Sequence, residues 1–276
     1  NRDWVGEHIS AIFPEEGRHR SLWNAAWEAY ITYCRFHNEV YESIRNQYRI
    51  AIHKLSRVKM SKVAKEHLSQ HLLTAYLREL EDLKDNSLVS LLFKKAQPQT
   101  RGYAIWFIGR VLKDLQTDEI EERTKQGIIE RIMNLWEWRI KEARMADPHG
   151  KERFVEELKW FGTWFISSLL DKDWAISQLY GTLELTEGVL GFAEGVVEKF
   201  HLYTERHHLT VLKSITLLVK EDSQRWMLIV SIDKIKELLA QIINEHSHQE
   251  IKLSMNHLVD VLVKKGYHEF AEFFIK

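Results

Sequence analysis

The sequence predicts an all-α fold of stacked antiparallel helical hairpins, arranged as an α-solenoid of the HEAT or TPR kind or as an irregular helical array. Three observations carry this expectation. Only 3 prolines and 12 glycines punctuate 276 residues, so few positions break a helix. Apolar residues recur at steps of three and four almost end to end, as amphipathic helices require. Expected helix starts at residues 151, 189 and 226 lie 38 and 37 residues apart, near the period of two-helix repeats. The units share a pattern and not letters.

The elements follow in order. A short helix over residues 7–13 precedes a charged turn, Pro14-Glu15-Glu16-Gly17. Ser21 is the expected N-cap of a segment running to about Leu55, interrupted at His37-Asn38. Ser61 caps a helix over 62–82, which Lys84-Asp85-Asn86 breaks before a shorter helix to Ala96. Gln97-Pro98 opens a turn. Residues 103–115 follow, with Phe107, Val111 and Leu115 at steps of four. Residues 118–146 form the longest expected helix. Its start is crowded with Asp118, Glu119, Glu121 and Glu122, and Lys141 and Arg144 lie near its end, a polarity that matches the helix dipole.

Asp147-Pro148-His149-Gly150 is the clearest punctuation. It divides an N-terminal helical subdomain, 1–146, from C-terminal hairpin repeats, 147–276, within one continuous superhelix. Helices are then expected over 151–170, 172–186, 189–205 and 207–220. Phe192, Val196, Phe200 and Tyr203 form the stripe of the third of these. Met227-Leu228-Ile229-Val230 fits a short strand, but Leu228, Ile232, Ile235, Leu239 and Ile242 continue a helical stripe, so a helix is expected. A helix over 248–265 and a terminal turn over 267–275 complete the chain.

The net charge of −1 supplies no global drive towards nucleic acid or an anionic membrane. Local charge is uneven. Residues 18–65 hold ten Lys/Arg against Glu28, Glu39 and Glu42, about +7; residues 171–205 hold seven acids against Lys172 and Lys199, about −5. Both read as solvated faces or as binding surfaces. Cys34 is the only cysteine, so a disulfide framework is excluded and a cytoplasmic setting is expected. It falls in the run Tyr30, Tyr33, Phe36 and is expected to be a small buried hydrophobe. No apolar run of membrane-spanning length occurs, so no membrane association is expected. The N-terminus has no signal-peptide pattern and no Met, and the chain is expected to be a piece of a longer protein.

No phosphate-binding loop, dinucleotide fingerprint, nucleophile elbow or zinc-protease motif is present. Gly188, Gly191 and Gly195 suit close helix packing or a loose turn better than phosphate binding. His67 and His71 lie one helical turn apart, but a metal needs a third ligand and Glu66 points elsewhere. His207-His208 and His246-Ser247-His248 read as polar turn residues. Adjacent acids such as Glu121-Glu122 and Glu156-Glu157 diverge by about 100° on a helix and do not converge on one bond. No catalytic residue, cofactor or metal is therefore expected.

Two clusters remain. Arg45, Arg49 and Arg57 with Tyr41 and Tyr48 make a face that suits either a phosphate backbone with stacked bases or a core stripe (Tyr41, Ile44, Tyr48, Ala51) with basic edges. Nucleic acid is accordingly the alternative partner class, and an enzyme site assembled across helices the other alternative function. The second cluster is Trp136-Glu137-Trp138-Arg139 with Trp160, Phe161, Trp164, Phe165 and Trp174. Trp160 and Trp164, like Phe161 and Phe165, are one turn apart, so one helix carries two adjoining aromatic stripes. Such stripes pack between layers or present hot spots to a partner. Trp136, Arg139, Trp160 and Trp164 are the expected contacts to a protein partner.

The order Phe107-Ile108-Gly109-Arg110, Leu135-Trp136-Glu137-Trp138-Arg139, Glu157-Leu158-x-x-Phe161-Gly162-x-Trp164-Phe165 and Trp174-Ala175-Ile176-x-x-Leu179 resembles the C-terminal helical region of large bacterial proteins. Those proteins place an effector, such as a nuclease or a Sir2-like NADase, and often a STAND-type ATPase ahead of helical repeats, and many belong to anti-phage defence systems. The resemblance covers residues 101–186, with an echo at Gly266-Tyr267-x-x-Phe270. It implies a cytosolic, non-catalytic recognition or scaffold region, the sensor for a foreign protein, whose enzymatic parts lie outside this chain. No catalytic residue of those proteins has a match here.

Overall fold

The computed structural model of the chain describes residues 7–9, 11–14, 20–55, 60–221, 225–245 and 248–275. The structure is all-α, and no strand occurs among the described residues. Between residues 20 and 264 the described helices are Arg20–Tyr33 (α1), Asn38–Lys54 (α2), Lys62–Leu77 (α3), Leu88–Lys95 (α4), Pro98–Asp114 (α5), Glu122–Met145 (α6), Pro148–Leu158 (α7), Gly162–Phe165 (α8), Lys172–Leu185 (α9), Ala193–Lys199 (α10), Thr204–Lys220 (α11), Arg225–Glu245 (α12) and Gln249–Lys264 (α13). Short 3-10 turns occupy Lys159–Phe161, Phe200–Leu202 and His268–Phe273. The expected turn residues 15–17, the basic residues Arg18, Arg57 and Lys59, and His246 lie outside the described residues.

Local chemistry accounts for the boundaries. Ser61 accepts a hydrogen bond from the Ala64 amide at 3.2 Å, Ser87 from Ser90 at 3.0 Å, Asp147 from Gly150 at 2.7 Å and Asp171 from Trp174 at 2.8 Å. Each satisfies a donor that a helix start leaves orphaned. Pro98 opens α5 five residues before the expected start, since proline is pre-set for the first helical position. Helix α3 stops at Leu77, not at 82, because Glu79 turns left-handed (φ 63°) and the Leu80 amide returns to the Ala75 carbonyl at 2.9 Å. Helix α9 ends the same way, with Glu187 at φ 52° and the Gly188 amide on the Leu183 carbonyl.

Further expectations need correction, among them the Ser21 cap, since α1 already begins at Arg20. The helix over 151–170 is divided by the 159–161 turn and stops at Phe165. The helix over 189–205 starts only at Ala193, because the Gly191 amide bonds the Lys159 carbonyl at 2.8 Å and Phe192 is left-handed. His207-His208 is no turn; it lies inside α11, at a kink where His207 takes φ −122°, ψ 25°. The interruption near residue 37 does occur, and the 227–230 segment is helical.

The chain divides into two compact units: residues 1–108 with 122–135, and 109–121 with 136–276. In the first, α1 packs on α3 and α2 on α4. Trp23 stacks on Trp27 at 5.7 Å, and Trp27 meets Tyr48 edge-on at 5.0 Å. In the second, α9 packs on α11 and α11 on α13, while α10 packs on α12 and α11 on α12. The punctuation at 147–150 opens α7 inside this second unit.

Gly188 sits at φ 91°, where a Cβ would lie 2.2 Å from the Leu217 carbonyl oxygen. Gly188→Ala is expected to lower unfolding stability in urea by more than about 2 kcal/mol. Glu187→Gly relieves a left-handed glutamate and is expected to raise it by about 0.5–1 kcal/mol.

Candidate functional site

The residues expected to contact a partner are mostly interior. Trp136 and Trp164 have no exposed surface, and Arg139 keeps only 3%. In this conformation those three cannot meet another protein; only Trp160 is partly exposed. Trp136 lies parallel on Phe161 (4.7 Å, 2°) and edge-on to Trp164 and Trp174 (5.8 and 5.4 Å). Its indole Nε1–H donates to Thr182 Oγ1 at 3.0 Å, and Thr182 donates in turn to the Gln178 carbonyl. Arg139 donates through Nε and Nη2 to Glu157 Oε1 at 2.8 and 2.7 Å, with Glu157 fully buried. The guanidinium also covers the rings of Trp138 and Phe154 at 4.5 and 5.0 Å. The two aromatic stripes are packing surfaces.

The aromatic stripe of the basic–aromatic face is likewise interior, with Arg45 and Arg49 half-buried at its edge. Tyr41, Ile44, Tyr48 and Ala51 are buried on α2, so the rings do not form a platform for bases. Tyr41 donates to Glu81 Oε1 at 2.8 Å, and Arg45 Nε reaches the same oxygen at 2.5 Å. Burial and the Glu81 carboxylate push the Tyr41 hydroxyl far above its ordinary pKa. Tyr30, Tyr48 and His71 form a hydrogen-bonded chain of 3.1 and 2.6 Å.

His67 and His71 act on the end of α1. His67 meets the Ile31 carbonyl at 3.1 Å, and the His71 ring bonds the Cys34 backbone. Carbonyls at a helix C-terminus lack partners, and these rings supply them. Cys34 itself is exposed, contrary to expectation, because α1 ends at Tyr33 and the stripe ends with it.

The second unit carries a surface feature the sequence reading placed in the core. Phe192 is left-handed (φ 64°) and 53% exposed, whereas Val196, Phe200 and Tyr203 of its expected stripe are buried. A bulky residue in this conformation is a genuine outlier. Its ring lies over Gly195, where a Cβ would stand 2.6 Å from it and 3.6 Å from Ile166. Ile166 is also exposed.

Further along the same stripe, Lys199 Nζ donates to the Phe165 and Ser167 carbonyls at 2.7 and 2.6 Å. Burial, with Lys172 adding to it, lowers its pKa to about 8. Leu202, 45% exposed, then borders an open cleft of about 440 Å³ with Asp171, Lys172, Asp173, Glu205, Arg206 and His207. His207 Nε2 meets Asp173 Oδ1 at 2.7 Å, and this bond holds the Asp173 carboxyl below its usual range. A strip thus runs from Phe192 to Leu202 beside residues 165–171, with Asp171, Asp173, Glu198 and Glu205 exposed along it together with Lys172 and Arg206. The glycine spacing at 188, 191 and 195 was its one sequence signal.

Two outcomes test this geometry. Arg139→Met removes the guanidinium that answers the buried Glu157 carboxylate and is expected to cost about 3–5 kcal/mol in urea unfolding, part of it recovered when Glu157→Leu is added. Burial drives the His71 pKa down from 6.5 to about 4, with nearby His67 adding to the effect. The unfolded chain therefore takes up a proton that the folded chain refuses between those values. Stability is complete above pH 6.5 and falls by about 1.4 kcal/mol per pH unit as pH drops towards 4. His71→Gln should flatten that part of the stability–pH curve measured by thermal unfolding. No protein-family model matches this chain, and no curated protein or solved structure matches it either.

Proposed function

We propose that this chain is a non-catalytic recognition and scaffold module, and that the Phe192–Leu202 strip of its second unit docks a basic, amphipathic segment of a partner protein. The observation that carries the reading is Phe192: a large aromatic, half exposed, held in a costly backbone conformation over a glycine. Strain of this kind persists where the surroundings enforce it, and such places cluster at binding sites. Exposed Ile166 and Leu202 extend the apolar contact, and the exposed carboxylates Asp171, Asp173, Glu198 and Glu205 outnumber Lys172 and Arg206 along it, a balance that favours Lys and Arg in the partner. The rows α9–α11–α13 and α10–α12 support a helical-repeat scaffold beneath the strip.

In the setting that the resemblance implies, the ligand is a foreign protein sensed in the bacterial cytoplasm. Its binding energy shifts attached effector domains towards an active assembly.

Phe192→Asn separates binding from folding, because asparagine tolerates the left-handed conformation. A fluorescent Lys/Leu amphipathic peptide, with an acidic counterpart as control, supplies the probe. Binding by anisotropy should weaken at least about tenfold in Phe192→Asn, weaken with added salt, and be absent for the acidic peptide, while the melting temperature holds or rises. Equal binding by Phe192→Asn with Ile166→Ser would place recognition elsewhere.

A further inference from the structure

In the first unit, the 78–87 loop folds around Glu81. Glu81 is 5% exposed and ties three elements together: it accepts from Tyr41 and Arg45 of α2 and, through Oε2, from the Leu88 amide that opens α4 at 2.9 Å. Its backbone carbonyl accepts from Arg131 Nη2. Arg131 Nε is fixed on the Tyr76 carbonyl at 2.5 Å, and its guanidinium lies over the Tyr76 ring at 4.3 Å. The loop encloses an open cleft of about 380 Å³ bordered by Arg45, Glu79, Asp82, Lys84 and Arg131.

The charges of this cleft do not all cancel locally. Arg45 is matched by Glu81 at 2.5 Å, and Lys84 by Asp82 at 3.3 Å. Arg131 bonds only main-chain carbonyls, and among the described residues no carboxylate pairs with it. Glu79 has no cationic partner among the described residues either, and the two do not pair with each other. One pre-oriented guanidinium and one carboxylate are therefore left facing the same cleft. A guanidinium fixed by carbonyls keeps its remaining N–H groups for a planar two-oxygen acceptor. Glu79 stands at the left-handed position after α3, where glycine costs less.

We infer that this cleft binds a small zwitterion of the α-amino-acid type, its carboxylate on Arg131 and its ammonium on Glu79. A polyanion is disfavoured, because Glu79 and Asp82 stand at the same opening as the cations.

The test is an NMR titration of the whole ¹⁵N-labelled chain with alanine, propionate, ethylamine and inorganic phosphate. The amides of residues 79–87 and the Arg131 Nε–H report on the cleft. Alanine should give saturable shifts at about millimolar concentrations, with propionate and ethylamine at least about tenfold weaker. Arg131→Lys keeps the charge and loses the fork, so it should weaken alanine binding at least about tenfold. Glu79→Gly should raise thermal stability while abolishing the preference for alanine over propionate; Glu187→Gly, in the other unit, should raise stability and leave binding unchanged. Absence of saturable shifts, equal response to alanine and propionate, stronger binding of phosphate, or unchanged selectivity in Glu79→Gly would each overturn the assignment.

Discussion

A guanidinium removed from water must be answered at once, and the second unit is organised around that demand. Arg139 keeps 3% of its surface and Glu157 none, so neither charge has solvent to fall back on. The pair joins α6 to α7 through two donors on one oxygen, and the rings of Trp138 and Phe154 cover the rest of the cation. A buried pair of this kind adds little net stability over apolar residues of the same volume, but it tolerates few alternative packings. The aromatics beside it obey the same rule. Trp136 is buried with its N–H on Thr182, and Trp174 places its N–H on Glu137 at 2.6 Å. Apolar area supplies the drive, and each polar edge selects the register.

The first unit meets the same constraint with a neutral chain and a loop. Tyr30, Tyr48 and His71 hand hydrogen bonds inward to the end of α1, while Glu81 gathers α2, the 78–87 loop and the start of α4. Lowering the His71 pKa is the cost of that burial, and it makes acid a stress on this unit in particular. Arg131 and Glu79, which pair with no opposite charge among the described residues, occur at the edge of this network, where the loop leaves room.

Much of the fold was legible because it rests on periodicity and on cap residues. Ser61 marks a helix start by chemistry that is local in sequence, and the 147–150 punctuation marks another, whereas Ser21, the other expected cap, lies inside α1. What escaped the reading depends on contacts between distant segments. The start of the helix expected over 189–205 is set by the Gly191 amide reaching Lys159, across a gap so narrow that a Cβ on Gly162 would stand 2.3 Å from the Gly191 carbonyl oxygen. Phe192 was assigned to the core on its spacing and is instead on the surface. Trp136, Arg139 and Trp164 were assigned to a partner on their composition and are instead interior. The exposed and buried uses of tryptophan share one sequence pattern, so burial alone separates them. The residues on which the resemblance was read are largely these interior ones.

The central claim is that the Trp136 cluster is the core of the second unit and that recognition belongs to the strained strip outside it. Hydrogen exchange at the Trp136 indole N–H tests this most directly. The account predicts exchange only through global opening, with an opening free energy within about 1 kcal/mol of that from urea unfolding. Exchange that is easier by several kcal/mol would mean that Trp136 reaches solvent in the native ensemble and would return the tryptophan cluster to the contact surface.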